Sequence, residues 1–130
     1  MPKNANPSAA ALVCIVDDDA SMADSTRFLV RSFGFRAEAF SSAQEFLSSG
    51  LVEHTSCLIL ILDLRMPGMD GLELQRHLAG NNRQIPIIFI SARANQNERR
   101  QAIDGGAVDF LYKPFSEEAL LNALQAALNR

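Results

Sequence analysis

Four acids, a hydroxyl and a lysine each stand at the end of an apolar run in this chain. Asp17, Asp18 and Asp19 follow "ALVCIV" (11–16), and Asp63 follows "LILIL" (58–62). Ser91 closes "PIIFIS" (86–91), and Lys113 closes "VDFLYK" (108–113). A carboxylate at the end of a buried strand is hard to desolvate unless a partner uses it. One such acid is ordinarily a turn or cap residue; four of them on one rim, with a lysine and a hydroxyl, indicate a site. Three or more converging carboxylates repel and raise one another's pKa. A hard divalent cation removes that repulsion, and Mg²⁺, which keeps its waters, suits a site with few protein oxygens. A carboxylate beside such a cation can attack a phosphoryl group to give an aspartyl phosphate. Phosphoryl transfer needs positioning and charge neutralisation. Mg²⁺ and the Lys113 ammonium can neutralise, and Ser91 can donate to a phosphoryl oxygen, so the set is complete for phosphorylating Asp63.

These residues need a scaffold that brings strand ends together. The continuous apolar runs 11–16 and 57–62 read as strands buried on both faces, the second the more apolar and hence central. "FRAEAF" (35–40), 86–91 and 108–113 supply three more. Between them lie helical segments. Ser21 is the expected N-cap of the first, with Met22, Leu29 and Phe33 on one face and Gly34 as its stop. A short helix is expected over 42–50, and one over "GLELQRHLAG" (71–80) with Leu74 and Leu78 inward. A polar helix over 95–106 has only Ala102 and Ile103 as apolar anchors. The last helix is capped by Ser116, with Leu120, Leu124, Ala127 and Leu128 as its stripe. Five strands alternating with five helices predict an α/β fold, a parallel sheet covered on both sides. In such sheets ligands bind beyond the carboxyl ends of the strands.

Composition sets the outer limits. The 130 residues suit one domain with one core. With 48% hydrophobic and 21% charged residues the chain resembles an average globular protein and not a disordered one. A net charge of −3 without a long Lys/Arg run gives no nucleic-acid footprint. No apolar run reaches membrane-spanning length. The first residues, "MPKNANPSAAA" (1–11), lack the apolar core of a secretion signal and read as a loose tail, leaving 12–130 as the domain. Cys14 and Cys57, both in apolar runs without CxxC spacing, read as buried thiols in a reducing cytoplasm.

The ordered set "VDDD…LDLRMPGMDG…ISAR…YKPF" resembles the receiver (CheY-like) domain of two-component response regulators, over residues 12 to 130. The resemblance implies a flavodoxin-like sheet in the order 2-1-3-4-5, as in CheY. It implies that Asp63 accepts the phosphoryl group from a histidine kinase and that Asp17 and Asp18 hold Mg²⁺ with Asp63. Because the sequence carries a triplet, Asp18 with Asp19 is the other register. Asp17 and Asp18 are favoured because they directly follow the apolar run, with Asp19 in solvent or near the helix start. Arg65 would offer its backbone carbonyl to the metal, Ser91 and Lys113 would contact the phosphoryl group, and Phe110 with Ser91 would be the switch. Lys113–Pro114 would be a cis peptide bond. "DLRMPGMDG" and "KPF" lean toward the FixJ-like branch, whose members carry a C-terminal DNA-binding helix-turn-helix; the chain stops at Arg130, so no effector domain is expected within it.

The function so implied is a phosphorylation-controlled switch and not an enzyme beyond its own phosphorylation and dephosphorylation. Phosphorylation would draw in Ser91, let Phe110 turn inward and change the face made by the 95–106 helix, the fifth strand and the last helix, promoting a homodimer. A stand-alone receiver or phosphorelay intermediate is the alternative. Arg65 and Arg93, two residues beyond Asp63 and Ser91, are placed at the pocket rim; paired through Asp19 they would form a lid against hydrolysis, otherwise two solvated arginines. A haloacid-dehalogenase-type phosphatase would need a second Asp two positions after Asp63, where Arg65 stands. A flavodoxin-like cofactor binder would need a phosphate loop where three acids stand. In "MPGMDG", Pro67 fixes φ while Gly68 and Gly71 admit unusual backbone. His54 and His77 read as surface residues.

Overall fold

The most apolar run of the chain lies at the centre of its sheet. In the computed structural model, which describes residues 10–82 and 84–129, the strands are β1 (Leu12–Val16), β2 (Arg36–Phe40), β3 (Leu58–Asp63), β4 (Ile87–Ser91) and β5 (Asp109–Tyr112). All pair in parallel, in the order β2-β1-β3-β4-β5. The described helices are α1 (Ala20–Ser32), α2 (Ala43–Ser48), α3 (Leu51–His54), α4 (Gly71–Gly80), α5 (Gln96–Asp104) and α6 (Glu117–Leu128).

Successive strand residues point to opposite faces, and here both faces are apolar. Val13, Ile15, Ile59, Ile61, Ile88 and Ile90 pack under α1 and α6, against Val30, Leu120 and Leu124. Cys14, Val16, Leu60, Leu62 and Phe89 pack on the other face against Phe46 of α2, Leu74 and Leu78 of α4 and Ala102 of α5. The two-sided burial explains why β1, β3 and β4 read as continuous apolar runs without alternation.

Among the described residues six helices stand where five were expected. Gly50, at φ +77°, ends the 42–50 segment, and Leu51–His54 forms a further turn. α1 begins earlier than expected: Asp19, not Ser21, caps it, accepting from the Met22 N–H at 3.2 Å. Its buried face is accordingly Ala23, Thr26 and Val30, with Met22, Leu29 and Phe33 only half-buried. α5 is held more weakly than its sequence suggests, because Ile103 is exposed and Ala102 alone is buried. Gln75 of α4 adds one tie, donating to the Ala102 carbonyl at 2.9 Å. Burial pushes the Cys14 thiol up to about 12, leaving it inert, whereas Cys57 is exposed, contrary to expectation. His54 and His77 lie at the surface. Residues 1–9 of the expected tail lie outside the described residues; Ala11, assigned to that tail, is fully buried.

The turn after β3 sets the position of Asp63. Gly68 has φ +76°, the left-handed region expected of it. Gly71 does not; its requirement is space. A Cβ there would lie 2.6 Å from the Asp63 carbonyl oxygen and 3.0 Å from the Leu64 Cα. Replacement Gly71→Ala must therefore displace backbone beside Asp63, and should lower stability by about 1–3 kcal/mol, the usual range for overpacking. Urea unfolding tests this, and an unchanged midpoint would contradict the close approach.

Candidate acidic site at the carboxyl edge of the sheet

Register alone makes Asp17 and Asp63 neighbours. Val16 pairs with Leu62, so the next residue of each strand projects from the same edge. The Asp17 N–H donates to the Phe40 carbonyl at 3.1 Å, which continues the β1–β2 ladder one residue beyond the strand. Asp17, Asp18 and Asp63 each offer a carboxylate oxygen, all within 4.8 Å of one another. Asp17 is fully buried and Asp63 is 7% exposed, while Asp18 faces solvent. Asp19 is committed elsewhere, as the cap of α1. Its own N–H donates to Asp17 Oδ1 at 3.0 Å.

Lys113, from the end of β5, closes the cluster. Its Nζ lies 3.0 Å from Asp17 Oδ2 and 3.7 Å from Asp63 Oδ2. The Lys113–Pro114 peptide bond is cis. One ammonium does not balance three carboxylates. Burial first, and then the charge of Asp17, push the Asp63 carboxyl from 3.8 up to about 7, against the opposing pull of Lys113 and a backbone bond from Arg65. Three hard oxygen donors open to solvent on the Asp18 side, with a residual negative charge, are the chemistry that suits a divalent cation such as Mg²⁺.

Ser91 is buried at the end of β4, and its hydroxyl faces its own loop. Its Oγ donates to the Arg93 carbonyl and accepts from the Arg93 N–H at 3.1 Å. Phe110 is already inward: 4% exposed and stacked on Phe89 with ring centroids 5.9 Å apart. The exposed aromatic of β5 is Tyr112, 5.3 Å from Phe110. The arginine lid is not formed either. Arg65 pairs with Glu98 of α5 at 2.6 Å and not with Asp19, while its Nε donates to the Arg93 carbonyl at 3.3 Å. Glu98 and Gln75 escaped sequence reasoning. The Asn95-x-x-Glu98 spacing of a capping box was the available signal for Glu98; nothing local marked Gln75.

The raised Asp63 pKa has a definite consequence for stability. The folded chain retains a proton at Asp63 that the unfolded chain loses above 3.8, so this group's contribution declines as pH rises from 3.8 through about 7. Replacement Asp63→Asn removes the charge. In EDTA it should stabilise the protein by about 1–3 kcal/mol at pH 8, the range for a poorly compensated buried polar group, and by less at pH 5. Urea unfolding at the two pH values measures this; an equal gain at both would contradict the shift.

Comparison with known proteins agrees with this geometry. A family model described as "Response regulator receiver domain" matches residues 13–125. The response regulator protein TodT of Pseudomonas putida is 49% identical over 119 residues, which span 92% of this chain and 52% of TodT. The transcriptional regulatory protein FixJ of Bradyrhizobium diazoefficiens is 35% identical over 118 residues, 91% of this chain and 57% of FixJ. The chain thus spans about half the length of these relatives. The crystal structure of FixJ-N superposes with a TM-score of 0.85 at 33% identity, covering 92% of this chain and 94% of that one. Among the described residues no helix is long and apolar enough to cross a membrane. The doubly covered sheet, the acid cluster at its carboxyl edge and the match over residues 13–125 lead to one conclusion: this chain belongs to the receiver domain family of two-component response regulators.

Proposed function

We propose that Asp63 accepts a phosphoryl group from a cognate histidine kinase in the cytoplasm, and that the modified domain switches an output. The observation that carries this reading is the convergence of Asp17, Asp18 and Asp63 within 4.8 Å, with Lys113 Nζ 3.0 Å from Asp17 and 3.7 Å from Asp63. Asp17, Asp18, Asp63 and the backbone carbonyl of Arg65 would hold Mg²⁺. Bound there, the ion would supply the charge neutralisation that leaves Asp63 ionised and shields the incoming phosphoryl oxygens.

The residues of the chain divide the remaining work. An Asp63 carboxylate oxygen attacks phosphorus; the bond from phosphorus to the donor's imidazole nitrogen breaks, and its electron pair stays on that nitrogen. Buried Asp17, tied to Lys113, holds the ammonium at the pocket, where its protons can turn to a phosphoryl oxygen. Ser91 can give its hydroxyl proton to another. A phosphoryl group biases the fold only through contacts that differ between two states. Such contacts at Ser91 and Lys113 would act on α5, β5 and α6, the face that carries exposed Ile103 and Tyr112. That face is suited to a homodimer, and the relatives described as transcriptional regulators support an output domain acting on DNA.

Acetyl phosphate with Mg²⁺ should add one phosphoryl group, at Asp63, as read by intact mass and peptide mapping. EDTA or Asp63→Asn should abolish it, and equal incorporation in either case would refute the assignment. Beryllofluoride with Mg²⁺ should raise the sedimentation coefficient from that of a monomer toward that of a dimer, with Ser91→Ala blunting the change. An unaltered coefficient would count against the proposed output face.

A further inference from the structure

We propose that Glu98 is a positioning residue: it holds Arg65, and through Arg65 the Arg93 carbonyl, in a latch that must open before Ser91 can serve the phosphoryl group. This inference rests on the proposed phosphorylation of Asp63 and concerns its regulation. Four residues make the latch. Arg65 stands two residues after Asp63; one guanidinium nitrogen donates to Glu98 Oε1 at 2.6 Å and its Nε to the Arg93 carbonyl at 3.3 Å. The same carbonyl accepts the hydroxyl proton of Ser91. Glu98 Oε1 also accepts from the Asn95 N–H at 3.1 Å, closing the capping box of α5.

A single hydroxyl proton decides the coupling. The Ser91 hydroxyl donates once, so it cannot serve the Arg93 carbonyl and a phosphoryl oxygen together. While Arg65 fixes that carbonyl beside Ser91, the latch competes with the phosphoryl group for the proton. The same arginine ties the loop after Asp63 to the first turn of α5. Apart from Ala102 and the bond from Gln75, that helix has few anchors, so a partly exposed ion pair is a substantial share of its attachment. A pair of this kind suits a switch: it is strong enough to bias two states and weak enough to be displaced. The network also assigns Arg65 a role other than solvation or shielding, since its side chain is bonded to Glu98 of α5 and to the Arg93 carbonyl.

Two variants separate the latch from the cap. Glu98→Gln retains a capping-box side chain and removes the ion pair; Arg65→Ala removes the pair and leaves the backbone carbonyl of residue 65. At saturating Mg²⁺, each should tighten apparent beryllofluoride binding by about threefold, the effect of losing one partly exposed ion pair from the competing state. The double variant should gain no more than either single one. Tyr112 is the only tyrosine and there is no tryptophan, so its fluorescence beside Phe110 reads the transition. Hydrogen exchange at the first-turn amides of α5 should be faster in both variants without any ligand. Unchanged or weaker beryllofluoride binding, or additive gains, would overturn the latch. If the wild-type chain fails to bind beryllofluoride at all, the phosphorylation reading fails; the latch then falls too if exchange in α5 is unchanged.

Discussion

Asp17 is a charged side chain without solvent, and much of this structure follows from how that charge is tolerated. Its carboxylate is held by the Lys113 ammonium on one oxygen and the Asp19 N–H on the other. Both partners come from the carboxyl edge of the sheet, so β1 and β5 must end at the same level although two strands lie between them. Lys113 cannot neutralise Asp63 as fully, at 3.7 Å and with Asp17 closer. Burial of Asp63, and then the charge of Asp17, push the Asp63 carboxyl up. Such an arrangement sacrifices stability at one edge, and under the proposed function it keeps a carboxylate ready for a cation and for chemistry.

The sheet that fixes these distances is rigid where the helices around it are not equally so. Leu60, Ile61 and Leu62 are fully buried on the strand that carries Asp63, and Gly71 brings the following helix within contact of the Asp63 backbone. α5 is the opposite case, with one buried side chain and polar ties at each end. A local change at Asp63 therefore meets a stiff support beneath and a loosely held helix beside it. Motion is expected in an element with few buried contacts, and α5 also adjoins exposed Tyr112.

Much of this was legible in the residues. Apolar runs buried on both faces gave β1, β3 and β4, alternation gave β2, and the polar residues after the runs at Val16, Leu62, Ile90 and Tyr112 marked the edge where they meet. Asp17, Asp18, Asp63 and Lys113 are brought together as their places in the runs imply, because register along a parallel sheet aligns strand ends. Long-range side-chain choices were not legible. Arg65 had one acid in reach of sequence logic, Asp19 by the triplet, and it takes Glu98 instead, 33 residues away. Asp19 is lost to such a pairing because the first turn of α1 needs a cap, a local demand that also moved the cap from Ser21 to Asp19. Phe110 reads as a mobile aromatic only if its rotamer is known; packed on Phe89 it belongs to the core. The break at Gly50 shows the same limit, since a glycine in a polar stretch can end a helix or simply lie within a loop.

The central claim is that the three carboxylates form one divalent-cation site whose charge strain falls on Asp63. Its direct test is the number of protons released when Mg²⁺ binds at pH 7, obtained from calorimetric titrations in two buffers of different ionisation enthalpy. With the Asp63 carboxyl at about 7, roughly half a proton per ion should leave on binding, because metal ligands must be deprotonated. The release should fall toward zero at pH 9 and vanish in Asp63→Asn. Binding at pH 7 without proton release would mean that Asp63 is already fully ionised, and the proposed strain at the carboxyl edge would be wrong.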